Sequence, residues 1–100
     1  MTSDAFPHSR SRLIAHCRSR TGNIMELTVH DLSLSGCMVE RLAWHVRPGD
    51  HVLIRLPGLS FQPACVLWVE GDFIGIEFDQ PLYEPVMAHV LKDFRPRRSA

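Results

Sequence analysis

Short runs of alternating apolar and polar residues, each closed by a turn signal, follow one another at roughly ten-residue spacing from Leu13 to Phe78. This pattern restricts the fold more than anything else in the chain. Parallel neighbours need a crossover of a dozen or more residues, and these spacings leave no room for one. Antiparallel pairing remains, as a barrel or a sandwich. Leu13–Arg20, the turn Thr21-Gly22-Asn23 and Ile24–Leu32 read as a hairpin. In the second arm Ile24, Glu26, Thr28 and His30 alternate with Met25, Leu27, Val29 and Asp31, which puts Met25, Leu27 and Val29 on one face.

Ser33-Leu34-Ser35-Gly36 reads as a turn, and Cys37–Arg41 as a resumed strand. In Arg47-Pro48-Gly49-Asp50 the proline presets φ and the glycine accepts positive φ, a strong turn signal. Val52, Ile54 and Leu56 then alternate with Leu53 and Arg55, and Pro57-Gly58 closes that run. Phe61–Glu70 forms the next strand, with Pro63 near its start, and Gly71-Asp72 turns it into Phe73–Phe78. Beyond Phe78 the period changes: Val86, Met87, Val90, Leu91 and Phe94 recur at helical spacing over about three turns. Glu84 is positioned to cap that helix, with Pro85 at its first position. The expected fold is all-β: a six-stranded antiparallel β-barrel with a short C-terminal α-helix.

One hundred residues, 45% hydrophobic and 22% charged, suit a single folded domain. Residues 1–9 are expected to form a flexible leader, 10–94 the domain and 95–100 a basic tail. The longest apolar run, Ala64 to Val69, is far short of the ~20 residues a membrane span needs. No signal peptide is evident, so a cytoplasmic location without membrane insertion is expected. Net charge is zero but uneven: residues 1–20 and 92–100 each carry +3, and the stretch between them −6. Two basic ends around an acidic body do not make the broad basic face of a duplex binder, so no DNA or RNA partner is expected.

The same residues argue against catalysis and metal binding. Cys17, Cys37 and Cys65 form no C-x-x-C and read as buried thiols, and the six histidines show no ligand spacing, so no metal is expected. His30, Asp31 and Ser33 are the residue types of a hydrolase triad, but neighbours in a strand point to opposite faces, so His30 and Asp31 are expected to diverge, and no G-x-S-x-G elbow is present. The chain is read as a non-enzyme. Trp68 shares a face with Val66 and is assigned to the core, and Trp44 to a lid over it.

Asp31-Leu32-Ser33-Leu34-Ser35-Gly36 is the most informative segment. A carboxylate and a hydroxyl project on one side of a strand end, followed by a glycine that permits close backbone approach. An ordinary Asp/Ser turn has the same composition. Three features lie in order along the chain: Arg10 and Arg12, this D-x-S-x-x-G, and Val66-Leu67-Trp68 followed by Gly75-Ile76-Glu77-Phe78. With the R-P-G-D turn and Pro81-Leu82 before the helix, the chain from Arg10 to Leu91 resembles the PilZ domain family.

That resemblance implies a six-stranded barrel and a receptor for the bacterial second messenger cyclic di-GMP, with no other cofactor. By resemblance Asp31 accepts from a guanine's N1–H and amino group, Ser33 bonds phosphate or base, and Gly36 keeps the surface open. Arg10 and Arg12 chelate phosphate or guanine and stack on the base, with His8 and Ser35 as further contacts. Binding would order the leader and relay the signal to an effector protein. The family's R-x-x-x-R is altered here. Arg10 and Arg12 stand two apart, and the four-residue spacing is met only by His8 with Arg12 or Arg12 with His16. Losing one charge-assisted pair costs about 1.5–3 kcal/mol. The alternative is therefore a PilZ-fold protein–protein interaction module that does not bind nucleotide.

Overall fold

Alternation in β2 (Ile24–Leu32) sets the inside and outside of the molecule: Leu27 and Val29 are buried while Glu26 and His30 are exposed. The structure is a computed structural model that describes residues 13–92. Six strands, β1 (Leu13–Arg18), β2, β3 (Gly36–Glu40), β4 (His51–Arg55), β5 (Gln62–Glu70) and β6 (Phe73–Phe78), are followed by one helix, α1 (Glu84–Leu91). The strands close into a barrel in the order β1-β2-β3-β6-β5-β4, every pair antiparallel. Closure leaves no unpaired sheet edge, and it explains how six short strands share one core.

The core is built from the inward faces of all six strands, with Cys17, Leu27, Val39, Ile54, Leu56, Val66 and Ile74 fully buried. Trp44 covers this core as expected, at 3% exposure. The Arg47–Asp50 turn is held by the Asp50 carboxylate, which accepts from the Arg47 N–H at 2.9 Å, and Gly49 adopts φ 94°. Gly49 N–H donates to the Val66 carbonyl at 2.7 Å, fastening the turn to β5.

Four local expectations are corrected. The helix has eight residues rather than about three turns, and Tyr83, not Glu84, is its N-cap; Glu84 and Pro85 occupy the first turn. Its apolar face uses Val90, with Val86 and Met87 packed against the core, as a helix this short requires; Phe94 lies outside the described residues. Cys17 and Cys37 are buried, but Cys65 is only half-buried, because it alternates out of phase with the inward Ala64 and Val66. Trp68 is not in the core, for a reason that belongs to the site.

Candidate ligand-binding site

Two β-bulges place the residues that matter most. In β2, Val29 pairs with Val39 of β3, yet Asp31 pairs with Met38, so His30 is an extra residue in the strand. Strict alternation would send Asp31 inward with Leu27 and Val29. The bulge turns it outward instead, and His30 and Asp31 are both exposed. Their expected divergence is therefore corrected. His30 lies edge-on to Phe73, with ring centroids 5.1 Å apart, and its Nε2 is 3.8 Å from the Glu40 carboxylate.

The second bulge lies in β5. Val66 pairs with Ile76 but Trp68 pairs with Gly75, so Leu67 is the extra residue and is left exposed. Trp68 then faces outward, and Val69 takes the inward side. A β-carbon built on Gly75 would overlap the Trp68 indole at Nε1 and Cε2, so only glycine leaves room for the ring. The reading of Trp68 as core fails because one inserted residue reverses every face beyond it.

These displacements create a cavity of about 230 Å³ whose walls include Asp31, Ser33, Ser35, Gly36, Trp68 and Glu77. The structure thus brings together all of the candidate residues that it describes. Arg10, Arg12 and His8 lie outside the described residues. Leu13, the first of β1, pairs with Val29, so the chain enters the barrel beside the end of β2 that carries Asp31.

The turn is ordered by its own groups. Ser33 N–H donates to the Gly36 carbonyl at 2.9 Å, and Ser33 Oγ lies 3.3 Å from Ser35 Oγ. Phe78 N–H donates to the Ser35 carbonyl and Leu82 N–H to the Leu34 carbonyl, each at 2.8 Å, which ties the turn to β6 and to the lead-in of α1. Gly36 is buried, and a β-carbon there would overlap the Ile76 carbonyl oxygen. Its lack of a side chain lets β3 approach β6, rather than keeping the surface open.

The electrostatics are one-sided. Asp31 and Glu77 both line the cavity, and no Lys or Arg of the described residues does. Beneath them, burial pushes the Cys37 thiol up from 9.0 to about 12, with a smaller push from the nearby Asp31 charge. Acceptors and a flat ring suit a ligand rich in N–H donors and π-faces; an anionic group there requires cations from elsewhere. Of the cavity's lining residues, sequence reasoning missed Glu77 and placed Trp68 in the core. The signal for Trp68 was the Gly75 opposite it, a glycine within a strand being a sign of close approach. Among the described residues no cluster of His, Cys, Asp and Glu could hold a metal ion, and no helix is long and apolar enough to cross a membrane.

Compared with known families, residues 8–92 match the family model of the PilZ domain. A search of curated proteins finds no match.

Proposed function

The chain belongs to the PilZ domain family, whose members are in general cyclic di-GMP receptors rather than catalysts, and from that premise we propose that this protein binds cyclic di-GMP at the Asp31–Trp68 cavity. The observation that carries the proposal is the pair of bulges, which aim a carboxylate and an indole into the same hollow from strands on either side of β3 and β6. Asp31 accepts the N1–H and amino group of a guanine, as carboxylates do for donor-bearing base edges. Trp68, held against Gly75, offers a stacking face worth about 1–3 kcal/mol per base. Ser33 and Ser35 supply hydroxyls at the rim.

The ligand's two phosphates need cations, and the cavity's described walls offer only carboxylates. Arg10 and Arg12 are three residues and one residue before Leu13, within reach at about 3.3–3.6 Å of chain per residue. They chelate phosphate or the guanine O6/N7 edge, and their charge offsets that of Asp31 and Glu77. His8 is a secondary contact. Relay to an effector protein then runs through backbone: a ligand seated on the 33–36 turn pulls on the Leu34 carbonyl, to which Leu82, just before α1, is bonded.

The test is a binding titration of wild type, Arg12→Ala and Asp31→Ala with cyclic di-GMP, with GTP as control. Each variant is expected to lose about 10- to 150-fold in affinity. Unchanged binding in both variants sinks the assignment. The second reading, an interaction module without nucleotide, is favoured by the shortened arginine spacing and the two uncompensated carboxylates; it requires no binding in the wild type.

A further inference from the structure

At the far end of β2 from Asp31, a separate cavity of about 290 Å³ opens beside Met25. Six residues of strand, about 20 Å at ~3.3 Å each, separate the two ends. Its character is the reverse of the first cavity. Arg20, Thr21 and Asn23 of the β1–β2 turn, His45 of the segment before β4 and His51 at the start of β4 all line it. These side chains are all able to donate hydrogen bonds. Among the described residues no carboxylate pairs with Arg20. The one lining carboxylate, Asp50, is already engaged by the Arg47 N–H at 2.9 Å. An adjoining hollow of about 380 Å³ shares Arg20 and His51 and adds Arg18, with Asp79 as its acid.

A second, independent observation falls on the same cavity. Trp44, with Met25 and Val52, supplies apolar lining, and Trp44 Nε1 is the one buried side-chain polar atom among the described residues without a hydrogen-bond partner. Orphaned buried donors are rare in folded proteins because each costs free energy.

We propose that this cavity is a second ligand site, taking a small phosphate monoester whose phosphate meets Arg20, His51 and His45 and whose organic part rests on Trp44. Phosphate fits better than carboxylate because the donors come from three separate segments of chain. A tetrahedral group with three terminal oxygens accepts from several directions, whereas a planar carboxylate presents two oxygens in one plane. The apolar lining accounts for an organic ester rather than the bare ion. The volume lies at the small end of ligand sites.

The chain has two tryptophans, so each cavity carries its own reporter in the indole N–H region of a ¹H–¹⁵N spectrum. Wild-type protein is titrated with phenyl phosphate at constant ionic strength, then with benzoate, then with cyclic di-GMP. Phenyl phosphate is expected to move the Trp44 cross-peak saturably and leave that of Trp68 in place. Arg20→Ala and His51→Ala, both at exposed positions, are each expected to weaken this response at least tenfold while the Trp68 cross-peak keeps its position as a check on folding. A Trp44 peak that stays still, that moves without saturating, or that responds equally in both variants overturns the proposal. Benzoate binding as tightly as phenyl phosphate overturns the choice of phosphate. Cyclic di-GMP reads only on Trp68, so failure of one site is distinguishable from failure of the other.

Discussion

The Trp68 indole occupies the space where a side chain on Gly75, its partner across β5 and β6, would begin. The glycine and the bulge at Leu67 are two halves of one device: one turns the ring outward and the other gives it a bed. Gly75→Ala should therefore displace the ring, costing about 1–3 kcal/mol of stability by overpacking and about tenfold or more in cyclic di-GMP affinity. Trp68→Ala should lose similar affinity without the strain. In the double variant, Gly75→Ala should cost almost nothing further, a coupling read from urea midpoints and titrations of all four proteins. Additive effects would mean that the two residues act separately.

Asp31 is exposed, and the role proposed for it is toward the ligand rather than the fold. Asp31→Asn keeps the shape and removes the charge. Its thermal midpoint should stay close to wild type, as for most surface substitutions, while affinity for cyclic di-GMP falls about 10- to 100-fold. Equal losses in stability and affinity would instead make Asp31 part of the scaffold.

Gly36 should behave in the opposite way. A methyl group there meets the Ile76 carbonyl, which is backbone and cannot swing aside. Gly36→Ala should lower stability by about 1–3 kcal/mol or more, seen as an earlier urea midpoint before any ligand is added. A variant as stable as wild type would show that β3 and β6 tolerate a wider spacing.

The buried thiols make stability depend on pH at the alkaline end. Burial raises the Cys37 thiol from 9.0 to about 12 and raises Cys17 further still, with Cys37 as the smaller cause for the latter. The folded chain therefore keeps these protons after the unfolded chain has released them. Their contribution is fully present below about pH 9 and is lost as pH climbs from there toward about 12. Urea midpoints under reducing conditions should fall as pH passes 9, and less steeply in Cys17→Ala, Cys37→Ala protein. An identical slope in that variant would place the alkaline sensitivity elsewhere.

The barrel was legible because a half-buried strand writes its faces into alternate residues, as Val52 and Ile54 do against Leu53 and Arg55. Turns such as Arg47–Asp50 were legible because only a few residues tolerate their backbone. Bulges leave no comparable mark: Leu67 and His30 look like any strand residue, and each reverses the face of the residues beyond it. Asp31 was found through its motif while the period alone would have buried it; Trp68 also lies in a motif, but there the period, which pairs its face with that of Val66, outweighed it. The true role of Gly36 depends on where β6 lies, which is a fact of closure and not of local sequence.

Calorimetric titration of the wild-type protein with cyclic di-GMP at near-physiological salt, against GTP as control, tests the central claim most directly. The account predicts saturable binding at micromolar affinity or tighter, with none for GTP. Such a result would show that the chain binds the ligand without the wider arginine spacing. No heat and no thermal stabilisation at about 100 μM ligand would contradict it and would leave the barrel as a module that meets only proteins.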